Sequence, residues 1–399
     1  MTKLLNPAVV IILVVLLHAL VGIPNYFFYS AEIDIALPSV ITVLFIISLV
    51  LPVLFTGKRY LVFTIDHQKA YKLSLYMLLL AMIINAFYVF VLGFTASGGF
   101  LERFSRIPIL INLSQLGIPA SLMLYYLSMS GSIGYAKVKI FFLILLFMLM
   151  QMSLGYRSPI FVLLLSLFAM NLYFRIDVKK KSLKIRDIGI ALIVVAAGAL
   201  LISVVAIMRV ESDYSYVDYY TQIYWTEVSS FWDQIVPFAA TMRADYVSLE
   251  SFLLNLKQEE LFPGAIFFSD LITWLPGTQL GSRNIVGDYI GARLLPNGVP
   301  MSITVSLHGI IYSDFGWLGL IIAGTLLAGI LIFLRRSISF GSACLLPIFV
   351  FMLINIVKSI HSGYLDFSFY FQMGSLFFIC WTSKSIKDPK VDSFATILK

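Results

Sequence analysis

Ten apolar runs occupy most of this chain, at residues 7–28, 37–56, 73–95, 107–129, 139–154, 159–174, 188–208, 303–334, 341–357 and 367–383. Several reach the ~20 residues a helix needs to cross a bilayer. The chain is 60% hydrophobic and only 12% charged, against about 25% charged in soluble domains. Lipid is therefore the expected solvent. The predicted fold is all-α: a polytopic membrane protein of about ten transmembrane helices. Pro24, Asn25, Tyr26 and Phe27 after the first run are poor residues for a cleavage site, so that run is expected to be a retained helix. Cys344 and Cys380 both lie inside apolar runs and imply neither a disulfide framework nor a thiolate metal site.

Charge sets the expected orientation. With the N-terminus inside, 19 of the 28 Lys and Arg residues fall on the inner face and none is left deep in a span. The bias is clearest in residues 175–186, with the run Lys179-Lys180-Lys181, which reads as a topology anchor. This accounts for the net charge of +7 without nucleic acid as a partner. The two faces also differ in kind. Fourteen of the 19 inner cations are lysine, whereas seven of the nine outer ones are arginine. A point charge suffices to fix topology; a guanidinium adds a planar fork that grips phosphate or carboxylate through two parallel hydrogen bonds. Since 16 of the 21 acids are also outside, those arginines must act locally, on an anionic ligand or on carboxylates within the loop.

One connection is far too long to be a link. Residues 209–302 form an expected extracytoplasmic loop within a single membrane domain spanning 1–399, and loops beyond about 15 residues usually carry structure or function. Residues 247–257 read as a short helix. Residues 261–274 are apolar but too short to span, which predicts a segment lying in or dipping into the interface, punctuated by Pro263-Gly264 and Pro276-Gly277. Tyr214, Tyr216, Tyr219, Tyr220, Tyr224, Trp225 and Trp232 cluster at its start, either as interfacial anchors or as a platform for sugar rings. Repeats and low-complexity tracts are absent.

Several polar groups are placed where chemistry could occur. The runs flanking Gly155-Tyr156-Arg157-Ser158-Pro159 have about 16 residues each, roughly 24 Å of helix against a core of ~30 Å, so this turn should sit below the outer surface with Arg157. A guanidinium there needs a partner or water; it either lines a pocket or reaches up to headgroups. Arg209 closes the seventh run at the same face, where snorkelling is the alternative role. Arg283 in Gly281-Ser282-Arg283 and Arg293 in Gly291-Ala292-Arg293 stand beside glycines, which let backbone N–H groups approach an anion with the side chain. Counting back 20 residues from Arg335-Arg336 puts residue 315 at the outer boundary, so His308, Tyr312 and Asp314 approach from just above it. His308 is a candidate proton acceptor. Lys358, His361, Tyr364 and Asp366 make a second outer turn. There is no GxxxxGK[ST] loop, no H-E-x-x-H, and no D-x-D acid pair in the outer loop, so no metal or other cofactor is expected.

These motifs together resemble the Wzy-type oligosaccharide repeat-unit polymerases of bacterial O-antigen and capsule assembly. The likeness rests on the G-x-R-S-P turn at 155–159, the Y-x-x-F-G-x-x-G segment at 312–319 and the single long outer loop between them. Where the family often carries an acid just before the tyrosine, Ile310 stands here. The resemblance implies a bacterial inner-membrane glycosyltransferase with its active face extracytoplasmic. Its substrates would be undecaprenyl-diphosphate-linked oligosaccharides, within membrane lipid. A sugar hydroxyl of one repeat unit attacks the anomeric carbon of another, and lipid diphosphate leaves. Arg157, Arg209, Arg283 and Arg293, with Tyr312 and His361, would bind diphosphate and glycan. His308 first, then Asp314, would take the hydroxyl proton. Whether a chain-length regulator protein joins them stays open. An O-antigen ligase shares this plan, and a lipid-linked oligosaccharide flippase is the non-enzyme alternative, against which the long outer loop speaks.

Overall fold

The computed structural model describes residues 6–29, 36–55, 60–93, 108–132, 137–154, 158–182, 189, 253, 263–272, 280–289, 305–363 and 365–385. The α-helices among these are α1 Pro7–Tyr29, α2 Ala36–Phe55, α3 His67–Ala86, α4 Pro108–Ser114, α5 Gly117–Met129, α6 Lys137–Ser153, α7 Ser158–Tyr173, α8 Ser282–Tyr289, α9 Leu307–Ser339, α10 Leu346–Ser362 and α11 Phe367–Thr382. The one extended pairing among the described residues is an isolated antiparallel bridge from Ile65 to Lys384.

Six stretches are long and apolar enough to cross a membrane: Ala36–Leu54, His67–Val91, Ile109–Met129, Ser158–Val178, Leu307–Ser339 and Ala343–Ser362. The protein is therefore a multi-pass, all-helical membrane protein. Helices also occupy the expected first, fifth and tenth runs, while the run at 188–208 lies outside the described residues except Gly189. Of the outer loop at 209–302, residues 253, 263–272 and 280–289 are described; the helix expected at 247–257 is thus represented by Leu253 alone.

Boundaries moved where local chemistry overrides hydropathy. α3 begins six residues before its apolar run because the Asp66 carboxylate accepts from the backbone N–H groups of Gln68 and Lys69, 2.9 and 3.3 Å away, an N-cap that ends the preceding loop early. The fourth run is broken between α4 and α5. Pro119 has no N–H to donate to the Gln115 carbonyl, which accepts from Ile118 N instead (3.0 Å).

The Ala343–Ser362 and Ile109–Met129 stretches lie innermost, 78% and 72% buried over their most apolar windows. The outer helices turn large side chains such as Leu17, Leu20, Ile83 and Phe90 outward, the surface that lipid would cover. α2 and α9 pack most intimately. A Cβ on Gly324 would lie 1.8 Å from Ser48 Oγ, so only a hydrogen at this position lets the backbones meet.

Candidate functional site

The outer end of α9 explains the Y-x-x-F-G-x-x-G pattern. Gly316 breaks the helix with φ 62° and ψ −161°, a backbone state essentially restricted to glycine. α9 is thus an upper piece, 307–315, set at an angle on a membrane-length piece, 317–339. The break falls at the boundary expected from counting back from Arg335-Arg336. The fold-back brings Phe315 against residue 319, where a Cβ would lie 2.0 Å from Phe315 Cβ; hence the second glycine of the pattern. Across the break the Tyr312 and Trp317 rings sit 4.4 Å apart.

The kink holds the outer loop. The Asp314 carboxylate, 8% exposed, accepts hydrogen bonds from Ile266 N (3.2 Å) and from Phe267 N. The rings of Phe267 and Phe268 then close on Phe315 at 6.1 and 6.2 Å. Residues 263–272, expected to lie in the interface, form turns and a short 3-10 helix, Ser269–Leu271, docked on the kink. Next along, Asp270 accepts from Ser282 N (3.0 Å) and Ser282 Oγ (2.6 Å), which seats the start of α8 on the same segment. Burial raises the Asp270 pKa to about 6, and Asp366 adds to the rise; the bonds from Ser282 and the nearby Arg283 oppose it.

His308 is the second residue of α9 and fully buried, its ring stacked on Phe45 at 5.5 Å. Its Nε2 lies 3.1 Å from Thr42 Oγ1. Thr42 gives its single proton to Pro38 O (2.9 Å), so Nε2 is the donor to that oxygen. His308 thereby ties α9 to α2. His361 is half-buried near the end of α10, its ring 6.0 Å from that of His18 on α1. Arg283 stands in the first turn of α8, within electrostatic reach of Asp270. Arg157, Arg209 and Arg293 lie outside the described residues. The described candidates therefore fall into two groups: Asp314 and Tyr312 at the kink, and Arg283 beside Asp270. His308 and His361 are each engaged elsewhere in the bundle.

Where α5, α7, α10 and α11 meet there is a hollow of about 140 Å³. Its wall begins at Ser158 and Pro159, the last two residues of the G-x-R-S-P turn, and includes Lys358 and Asp366 of the second outer turn. Asp366 also caps α11 by accepting from Phe369 N at 2.9 Å. Neutral polar groups line or brace it. Gln372 Nε2 donates to Gln115 Oε1 at 2.8 Å, and Ser368 Oγ donates to Asn112 Oδ1 at 2.6 Å. Asn112, Gln115, Ser368 and Gln372 were not singled out from the sequence. The signal was there: two polar pairs, three and four residues apart, each within a largely apolar run. Asp270, Asp366 and Tyr370 also interact electrostatically, so the loop segment at Asp270 reaches the outer end of α11.

The arrangement offers a cationic and an acidic side chain at a small polar hollow, with the outer loop fastened nearby at two carboxylates. The family described as "Putative O-antigen polymerase" matches residues 3–373. No curated protein and no solved structure matches the chain. With helical spans and both short motifs inside that match, the chain belongs to the Wzy-type O-antigen polymerase family and serves in handling polysaccharide repeat units at a membrane.

Proposed function

We propose that the protein is a glycosyltransferase that joins lipid-linked oligosaccharide repeat units, moving a glycan from undecaprenyl diphosphate to the terminal sugar of another undecaprenyl-diphosphate-linked unit. Ten spans in the bacterial inner membrane, with residues 209–302 extracytoplasmic, complete the proposal; the lysine-rich inner and arginine-rich outer segments support this orientation. The observation that carries the reading is the hollow bounded by Ser158, Lys358 and Asp366. It brings Ser158 and Pro159, the described end of the G-x-R-S-P motif, to one place with Lys358 and Asp366 of the second outer turn, more than 190 residues on in sequence.

In the proposed reaction an acceptor hydroxyl oxygen forms a bond to the anomeric carbon of the donor. The bond from that carbon to the phosphate oxygen breaks, and the electron pair leaves with the lipid diphosphate. Arg157, one peptide bond from Ser158, together with Lys358, Arg209, Arg283 and Arg293, neutralises the departing diphosphate. Asp366 takes the hydroxyl proton, since it adjoins the hollow. His308 and Asp314 serve the site by holding the upper piece of α9 against α2 and against residues 266–267. Tyr312 at the kink belongs to the glycan-facing surface, while His361, beside His18, braces α10 against α1.

Purified protein given lipid-linked repeat units should build a ladder of chain lengths, and Asp366→Asn should stop it while the fold persists. A full ladder from Asp366→Asn removes the base assignment. The cell separates the wider readings: loss of a polymerase leaves one repeat unit capped on lipid A, while loss of a ligase or flippase leaves none. A strain lacking the gene with no capped lipid A at all would overturn the polymerase proposal.

A further inference from the structure

The opposite end of the bundle carries a second hollow, of about 220 Å³, that the polymerase reading does not use. It is bounded by Asn6, Pro7, Asp177, Arg335, Arg336 and Ser339, with Ile332 as an apolar wall. Three helix ends build it. α1 starts here, so its first-turn N–H groups bring a partial positive charge. α7 ends in a π-helical turn, Phe174–Val178, that turns the Asp177 carboxylate toward α9. Arg335 meets it with two bonds, Nε to Oδ2 at 2.9 Å and Nη2 to Oδ1 at 3.3 Å, and lies over the Tyr173 ring at 5.4 Å. That pair is close to neutral. Arg336 then adds a guanidinium to the same wall, and Lys180 reaches across to donate to the Ser339 carbonyl at 3.1 Å. Among the described residues, the walls hold two guanidiniums and one carboxylate, with the Lys180 ammonium bonded to Ser339 beside them.

We propose that this hollow binds the phosphodiester headgroup of an anionic phospholipid. A planar guanidinium fork matches two phosphate oxygens, and the helix start favours the same charge. The hollow is smaller than the ~300–1,000 Å³ of sites for drug-sized ligands, which suits a headgroup better than an oligosaccharide. A lipid fits better than a free anion because Ile332 closes one side, and because α1 and α9 expose Leu13, Leu17, Leu326 and Ile330 on their outer flanks, where acyl chains would lie. Anionic headgroups are concentrated at the face that the positive-inside pattern assigns to this end.

The test uses the full-length protein, purified in a neutral detergent and stripped of lipid. Phosphatidylglycerol, phosphatidylcholine and inorganic phosphate are added separately, and lipid retention by native mass spectrometry is read alongside thermal unfolding. The wild type should retain and be stabilised by phosphatidylglycerol, with little response to phosphatidylcholine or phosphate. Arg336→Ala should weaken retention by roughly tenfold or more. Ser339→Trp, which fills the hollow and leaves both arginines in place, should abolish it. Equal responses to the two lipids in the wild type would overturn the proposal, as would wild-type retention by Ser339→Trp. Stabilisation by phosphate equal to that by phosphatidylglycerol would make this a free-anion site and overturn the lipid assignment. None of these readouts depends on polymer synthesis, so the outcome is separate from the fate of the polymerase proposal.

Discussion

Replacing Gly316 by alanine isolates what the kink contributes. No heavy atom lies within 4 Å of the position a Cβ would take, so packing is not at stake. The cost comes from the backbone: at φ 62° and ψ −161° an L-residue carries strain of about 1–3 kcal/mol. The chain can escape that strain only by straightening the helix. Straightening swings Asp314 away from Ile266 N and Phe267 N and forfeits two bonds to a carboxylate, each worth roughly 1.5–3 kcal/mol. Retaining the kink is therefore the less costly course, and Gly316→Ala should lose about 2 kcal/mol. Equilibrium unfolding in mixed micelles measures this. Limited proteolysis of the outer loop, compared with Asp314→Ala, shows whether the kink was kept. Wild-type stability together with a wild-type digest would refute the claim that residue 316 must be glycine for conformational reasons.

Asp270 predicts a pH effect. With its pKa raised from 3.8 to about 6, the folded chain holds a proton that the unfolded chain has already released. Stability should then fall as pH rises from about 4 to about 6, by on the order of 3 kcal/mol; Asp270→Asn should flatten that part of the unfolding profile. Arg157→Ala and Arg283→Ala should each abolish long chains on a gel at unchanged protein levels, and Lys at position 157 should rescue poorly because the fork is lost; normal ladders from both would remove the diphosphate clamp. His308→Ala should lower stability by about 2–4 kcal/mol through the emptied contact with Phe45 and Thr42. Unchanged stability with lost synthesis would instead favour His308 as the proton acceptor.

Hydropathy and charge made the helices legible, because in a bilayer both respond to position along the membrane normal more than to neighbours. Local caps and breaks were less visible. Asp66 and Pro119 moved helix ends through single hydrogen bonds gained or missing, which an average over 20 residues cannot register. The partners of Asp314 were harder still, since Ile266 and Phe267 are 48 and 47 residues away and bond through backbone groups common to every residue. His308 illustrates the difficulty at the site. Sequence gives a histidine near the outer boundary, but only packing reveals that Phe45 and Thr42 enclose it. Tyr312, Phe315, Gly316 and Gly319 could be recognised as a pattern, whereas the physical reason for their spacing needed the fold-back of Phe315.

The break at Gly316 also divides mechanical duties along α9. Below it, Gly324 lies so close to Ser48 that an added Cβ would collide with the serine side chain. Above it, a nine-residue lever carries the segment clasped by Asp314. With His308 anchoring that piece to α2 as well, the two dihedrals of one glycine set the angle at which the clasped segment stands over the span below. The outer segment is thereby mounted on the membrane-length piece through a single backbone joint.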